Sequence, residues 1–210
     1  MVNIVIKETN PLFQCGLTAI FNDIFGRESE SDIFFDFSLT CESVRKADIL
    51  VLSLCPGEYF TCFPELHERQ KSIVIGFTEN DTHVNLLPSC FQDIILISRR
   101  ATLLQVRLIL LNAWYNIQRS DFRLPPITCS DCQQKTFSPQ QIRIMIGLYK
   151  GLSVMQIADE MMVNSKTIYS HKYQVMAKFN LRSDYELMLL VNRLAEKNSW
   201  STIFYDYLQQ

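Results

Sequence analysis

A short stretch near the C-terminal end of the chain concentrates the side chains that could bind nucleic acid. Lysine ammonium groups suit phosphate oxygens, and hydroxyl and ring side chains suit the edges of bases. Residues 166–180 are predicted to form a helix that carries such groups on its outer face. They are Lys166, Thr167, Tyr169, Ser170, His171, Lys172, Tyr173 and Lys178. A helix with this face could enter the major groove of duplex DNA.

Four short helices are predicted across residues 137–194, and they would position these side chains. Ser138 followed by a proline, then Ser153, then Ser165 are expected N-caps, and Ser183 with Glu186 has the spacing of a capping box. Apolar residues at helical spacing supply the inward faces. They are Ile142, Ile144, Met145, Leu148, Ile157, Ala158, Met161, Met162, Ile168, Val175, Met176, Phe179, Leu187, Leu190, Val191 and Leu194. The second and third helices are predicted to form a helix-turn-helix.

Two structural alternatives apply to the same residues. A lysine-bearing helix face is often only a solvated surface, so helical spacing alone does not establish DNA binding. His171 could pack or cap within the domain as readily as it could bind phosphate.

The spacing of individual residues in this segment resembles the LuxR-type DNA-binding domain. The matching positions are Phe137-Ser138, Gly151-Leu152-Ser153, Ile157-Ala158, Ser165, Thr167-Ile168, His171, Lys178-Phe179 and Leu181. Gln141 or Ile142 stands where that family usually has an acidic residue. The resemblance implies that Tyr169, Ser170 and Tyr173 face the bases. It implies backbone contacts for Lys166, Thr167, Lys172 and Lys178.

Charge is unevenly distributed along the 210 residues, whose formal net charge is -2. Residues 1–134 hold about 11 Lys and Arg against about 16 Asp and Glu, whereas the remainder holds about 9 against about 6. The basic excess at the C-terminal end favours a nucleic-acid-binding module that needs a dimer for specific occupancy. The chain has no apolar stretch of membrane-spanning length and no signal-peptide pattern at its start, so we expect a cytoplasmic protein.

The seven cysteines are interpreted as thiols, without disulfides. Cys15, Cys41, Cys55, Cys62 and Cys90 lie in or beside apolar segments and are expected to behave as small core residues. Cys129 and Cys132 have a metal or redox spacing, but no second Cys or His pair at zinc-finger spacing accompanies them. The sequence therefore predicts neither a metal site nor a cofactor.

The N-terminal part has the pattern of a doubly wound α/β domain. Apolar runs at residues 2–6, 33–37, 49–54, 72–77 and 94–97 are predicted to be buried parallel strands. Residues 12–25 and 103–118 are the clearest helices, and a proline at position 88 interrupts residues 79–90.

This part resembles the receiver domain of response regulators. That resemblance implies acidic residues after the first strand, a phosphate-accepting aspartate after the third and a lysine after the fifth. Here Glu8 and Thr9 stand at the acidic pair, and Ser53 stands at the acceptor. Phe77 or Thr78 stands at the switch hydroxyl, and Ile97 or Ser98 at the lysine. Serine cannot replace a carboxylate that forms an acyl phosphate, so aspartyl phosphorylation is predicted to be lost.

The last helix of this part has two apolar stripes, whereas packing on a sheet requires one. Leu103, Val106, Leu110, Ala113 and Ile117 form one stripe. Leu104, Leu108, Leu111 and Tyr115 form the other, which is either a dimer interface or part of a wider core contact.

The sequence therefore predicts a receiver-like (βα)5 dimerisation domain at residues 1–120, a linker at 121–136, a helix-turn-helix domain at 137–197 and an aromatic tail at 198–210. This combination resembles enterobacterial auxiliary regulators of the RcsA and BglJ kind. The resemblance implies a DNA-binding transcription regulator that dimerises with itself or with a phosphorylatable LuxR-type regulator such as RcsB. An alternative is an interaction protein that sequesters another regulator with little DNA contact. An enzyme is not expected, because the chain has no phosphate loop, nucleophile elbow or zinc-hydrolase helix.

Overall fold

A computed structural model of the chain describes residues 1–28, 32–79, 87–119, 132 and 134–197. The chain divides into two compact units. The first contains Met1–Leu54 and Cys62–Gln133, and the second contains Cys55–Thr61 and Gln134–Gln210. The predicted aromatic tail and most of the predicted linker lie outside the described residues.

The first unit is built on a five-stranded parallel sheet. Its strands are β1 (Val2–Lys7), β2 (Ile33–Asp36), β3 (Ile49–Ser53), β4 (Ile73–Thr78) and β5 (Ile95–Ser98). They lie in the order β2-β1-β3-β4-β5. The chain thus turns in opposite directions from β1, and this confirms the predicted doubly wound α/β fold.

In the described part of this unit, three α-helices accompany the sheet, α1 (Pro11–Glu28), α2 (Cys41–Lys46) and α3 (Leu103–Arg119). The short helix α2 was not predicted; it begins at a capping box in which Thr40 accepts from the Ser43 backbone N–H. Short 3₁₀ helices occupy Pro64–Glu68 and Ser89–Phe91. Aliphatic residues of the strands pack with Phe21 and Phe25 of α1 and with Val106 and Leu110 of α3 to form the core.

The two apolar stripes of the helix α3 differ in burial. Val106 and Leu110 are buried, whereas Leu103, predicted to face inward, is 72% exposed at the first residue of the helix. Leu104 and Leu108 of the second stripe are exposed. Leu111 is an exception, because it packs against the core.

Among its described residues, the second unit contains four α-helices, α4 (Pro139–Tyr149), α5 (Val154–Glu160), α6 (Ser165–Lys178) and α7 (Asp184–Glu196). Their number and order are as predicted. Gly147 permits α4 and α5 to approach closely, since a Cβ there would lie 2.7 Å from Ile157.

The helix ends of this unit match the predicted caps with two exceptions. At α7 the Ser183 side chain accepts from the Glu186 N–H, but the Glu186 carboxylate accepts from the Arg182 N–H at 2.6 Å, so the predicted capping box is not closed. Ser138, Ser153 and Ser183 are N-caps. The N-cap of α6 is Asn164, whose side chain accepts from the Lys166 N–H at 2.8 Å, so the assignment of this role to Ser165 was wrong. Met162, predicted to face inward, is 93% exposed because it lies in the turn between α5 and α6 with a φ of 53°.

The second unit also includes Cys55–Thr61, a segment remote from it in the sequence. Gly57 has a φ of +81°, and a Cβ there would lie 3.0 Å from Leu181 and 3.1 Å from the Phe179 carbonyl oxygen. Glu58 is fully buried, and its carboxylate lies 2.6 Å from the Lys197 Nζ. Sequence periodicity gave no indication of this internal ion pair.

Within the described ranges, no helix is both long and apolar enough to span a membrane.

Candidate nucleic-acid interface

The helix α6 separates an inner apolar face from an outer polar face. Ile168, Val175 and Met176 are buried and fix its orientation in the second unit. The exposed residues of the predicted interface are Lys166, Thr167, Tyr169, Ser170, Tyr173 and Lys178. This surface offers ammonium groups, hydroxyls and two aromatic rings, a chemistry that suits phosphates and base edges.

Tyr169 and Tyr173 lie one helical turn apart and form a continuous aromatic surface. Their ring centroids are 6.5 Å apart with an interplanar angle of 24°, and the residues are 44% and 60% exposed. Rings held in this way can contact base edges or thymine methyl groups without a large loss of side-chain entropy.

Lys172 does not belong to the exposed surface, and its assignment as a backbone contact is corrected here. It is buried, and its Nζ donates to the Asp184 carboxylate at 2.8 Å. The same ammonium group lies 5.5 Å from the Tyr169 ring centroid and 5.8 Å from that of Tyr173. Lys172 therefore joins α6 to α7 and positions the two tyrosines.

His171 is half-buried on the same helix. Its Nδ1 is enclosed and has no hydrogen-bond partner within the described part of the chain. This environment favours packing of His171 within the domain over binding of phosphate.

Lys178 contributes to the end of α6 as well as to its surface. Its Nζ donates to the Thr136 carbonyl at 2.5 Å, while the Lys135 Nζ donates to the Lys178 carbonyl at 2.6 Å. Burial lowers the pKa of Lys135, whose ammonium group also lies 3.1 Å from the Phe60 ring centroid. A cation at the C-terminal end of a helix is favourable because of the helix dipole.

The degenerate receiver site lies at the carboxyl ends of the strands in the first unit. Ser53 ends β3 and donates to the Glu8 carboxylate, and Thr9 is exposed beside it. Arg99 pairs with Glu8 and donates to the Ser53 hydroxyl at 2.9 Å. Arg99 also stacks on the Phe13 ring, with its Cζ 4.2 Å from the centroid.

A cation lies at this site, although the sequence interpretation placed the uncharged Ile97 or Ser98 at the lysine position of a receiver. Ile97 is buried within β5, where it pairs with Phe77 of β4, and Ser98 pairs with Thr78. Arg99 follows the end of β5 and supplies the cation instead. The Arg99 guanidinium thus neutralises Glu8, which is the one carboxylate at the predicted acidic pair.

The cysteines divide into exposed and buried groups. Cys15 and Cys41 are exposed, contrary to the core role expected for them, because both lie on the outer sides of helices. Cys62 and Cys90 are buried as expected. None of the six cysteines in the described ranges forms a disulfide.

The second unit corresponds to a known class of DNA-binding domain. Residues 135–191 match the sequence profile of the family of bacterial regulatory proteins called the luxR family. This stretch is therefore a LuxR-type helix-turn-helix domain, in agreement with the predicted resemblance.

Particular relatives share this domain. The chain is 39% identical over 56 residues to the transcriptional activator protein BglJ of Escherichia coli K12, which covers 27% of this chain and 25% of BglJ. It is 24% identical over 147 residues to the oxygen regulatory protein NreC of Staphylococcus epidermidis, covering 70% of this chain and 63% of NreC. These matches thus span less than two thirds of either relative.

A solved structure shares the fold over most of the chain. RcsB of Salmonella enterica serovar Typhimurium, bound to promoter P1flhDC in the presence of the phosphomimetic BeF3-, superimposes with a TM-score of 0.54 and 17% identity. The match covers 92% of this chain and 98% of RcsB. A receiver-like unit followed by a helix-turn-helix unit is therefore the fold of this protein.

Proposed function

We propose that this protein is a transcription regulator that binds duplex DNA through the outer face of α6 and acts as a dimer. The observation that supports DNA binding most directly is the exposed row of Lys166, Tyr169, Ser170 and Tyr173 on the second helix of a LuxR-type helix-turn-helix. Such a helix contacts base edges in the major groove. A function on duplex DNA places the protein in the bacterial cytoplasm and requires no catalytic group.

The dimer contact is proposed to be the outer stripe of α3. Leu104, Leu108 and Tyr115 are 66%, 52% and 46% exposed, which is unusual for large apolar side chains on one helix of a small domain. Leu111 packs on the core behind this stripe. The occupant is a second copy or a LuxR-type response regulator of the RcsB kind.

Replacing Leu104 and Leu108 with glutamate should separate the proposed dimer without unfolding the domain. Each buried apolar anchor contributes about 2 kcal/mol at an interface, so the dissociation constant should rise about 30-fold or more. Sedimentation velocity with and without the response regulator measures this change. The matched control is Leu12→Glu, since Leu12 is 83% exposed on α1. An unchanged association state in the α3 variant would place the contact elsewhere.

Regulation is proposed to be independent of aspartyl phosphorylation. Ser53 has no carboxylate to form an acyl phosphate, and the Arg99 guanidinium pairs with Glu8 beside it. We expect that incubation with acetyl phosphate and Mg²⁺ adds no phosphoryl group and changes DNA affinity less than about twofold. Intact-mass spectrometry and a binding titration measure both, with a phosphorylatable LuxR-type regulator as the positive control. A mass increase of one phosphoryl group would contradict this proposal.

A second candidate function is sequestration of another regulator with little DNA contact. Lys172 is paired internally and the Lys178 amine donates to a carbonyl, so fewer cations face outward on α6 than the sequence indicated. Selection of sheared genomic DNA separates the two functions. The full chain is used alone and with a phosphorylatable response regulator, at two salt concentrations. Specific, salt-sensitive recovery of DNA fragments by this protein supports the function as a regulator. A decrease in the DNA that the partner recovers when this protein is added supports sequestration.

A further inference from the structure

Three cysteines that are far apart in the sequence come together in the first unit. Cys62 precedes the 3₁₀ helix Pro64–Glu68, Cys90 lies in the 3₁₀ helix before β5, and Cys132 lies near the end of the unit. Their three sulfur atoms all lie within 4.8 Å of one another. Cys62 and Cys90 are buried, and Cys132 is half-buried. Packing alone does not require three polarisable sulfurs from three separate segments to converge.

The distances suit a tetrahedral metal ion. A Zn–S bond of about 2.3 Å separates two sulfur ligands of one ion by about 3.8 Å. This separation is compatible with the three sulfurs, which all lie within 4.8 Å of one another. The His67 Nε2 lies 3.8 Å from the Cys62 sulfur. The separation expected between a sulfur and a nitrogen ligand of one zinc ion is about 3.6 Å. The imidazole is not within 4.8 Å of all three sulfurs, so the His67 side chain would have to move to join them around one ion.

The three thiols affect one another's pKa values in opposite directions. Burial raises the pKa of Cys132, and the hydrogen bond with Cys90 together with burial raises the pKa of Cys62. The pKa of Cys90 is lowered despite its burial, chiefly by a hydrogen bond with Cys62. The Phe63 backbone and the His67 charge lower it by smaller amounts. Outer hydrogen bonds of this kind orient the ligands of metal sites.

We propose that the three thiols bind one structural Zn²⁺ ion, with His67 as the fourth ligand. Three sulfurs and one imidazole are the donors of a closed structural zinc site, and their softness excludes Mg²⁺ and Ca²⁺. Binding releases the remaining thiol protons to solvent, and nothing is oxidised or reduced. The ion would join the loops that follow β3 and precede β5 to the chain just before the DNA-binding unit.

Metal content of the purified full-length protein tests this proposal. After preparation under reducing conditions with Zn²⁺ and removal of excess ion, the wild type should retain one zinc per chain. Cys62→Ser, Cys90→Ser and Cys132→Ser should each lose it. Cys15→Ser and Cys41→Ser are matched controls because both thiols are exposed, and they should retain one zinc.

A spectroscopic measurement on the wild type does not depend on whether the variants fold. Co²⁺ should bind with one-to-one stoichiometry and give the intense visible bands of a tetrahedral ion with sulfur charge transfer. Excess Zn²⁺ should displace it, and a chelator should lower the melting temperature reversibly. His67→Ala should alter the visible bands while the sulfur charge-transfer band persists. Reduced wild-type protein that binds neither zinc nor cobalt would overturn the proposal.

Discussion

Replacing Tyr169 and Tyr173 with alanine should remove sequence-specific DNA binding while leaving the fold intact. Each specific contact to a base edge is worth about 1–3 kcal/mol, so the double variant should lose roughly 100-fold or more in affinity for a specific fragment. Both side chains are exposed, so the melting temperature should change little. Fluorescence anisotropy on fragments recovered from genomic DNA measures the loss, and nonspecific affinity should fall much less.

Two single variants serve as controls for this loss. Lys166→Ala removes an exposed cation, so affinity should fall similarly for all sequences. The slope of the logarithm of the binding constant against the logarithm of the salt concentration should decrease in magnitude by about one. Lys172→Met retains the buried stem but removes the ion pair with Asp184, so stability should fall while specific affinity changes less than about tenfold. Unchanged specific binding in the tyrosine double variant would mean that another surface contacts the bases.

Replacing Glu58 with alanine should destabilise the second unit more than any exposed charge change. The Glu58 carboxylate accepts from the Cys55 N–H at 2.9 Å and lies 2.6 Å from the Lys197 Nζ and 3.6 Å from the Arg193 Nε. Its removal leaves two largely buried cations without this carboxylate. Breaking a buried ion pair in this way costs about 3–5 kcal/mol. Urea unfolding of the full chain, monitored by circular dichroism, measures the cost.

Glu42 provides the matched control for Glu58. Its ion pair with Lys46 is equally short at 2.6 Å, but both side chains are more than two-thirds exposed. Glu42→Ala should therefore leave the urea midpoint nearly unchanged, because an exposed ion pair contributes little to stability. Similar losses for the two variants would contradict the structural role assigned to the buried carboxylate.

The sequence predicted the five strands and all the α-helices except α2 because their signals are local. All five strands are continuous apolar runs, and the four C-terminal helices combine caps with apolar residues at helical spacing. The outward positions of Tyr169, Ser170 and Tyr173 follow from the same periodicity. The N-cap of α6 was misassigned by one residue because Asn164 and Ser165 can both accept from a backbone N–H.

The errors concern side chains whose partners are distant in the sequence. Lys172 lies four residues from both Ile168 and Met176 on the inner face of α6, and it was assigned to the outer face because of its charge, which Asp184 of the next helix balances. Arg99 rather than Ile97 reaches Ser53 because β5 ends at Ser98. The convergence of Cys62, Cys90 and Cys132 depends on three separate connections. Helical or strand periodicity contains no information on such contacts.

The most direct test is chromatin immunoprecipitation of the full-length protein in bacterial cells, combined with measurement of transcripts in the same cultures. The wild type is compared with Tyr169→Ala/Tyr173→Ala at equal abundance. We predict that the wild type occupies discrete sites, and that the variant loses both this occupancy and the change in neighbouring transcripts. Transcripts that respond equally to the variant would contradict regulation through α6 and would instead support sequestration of another regulator.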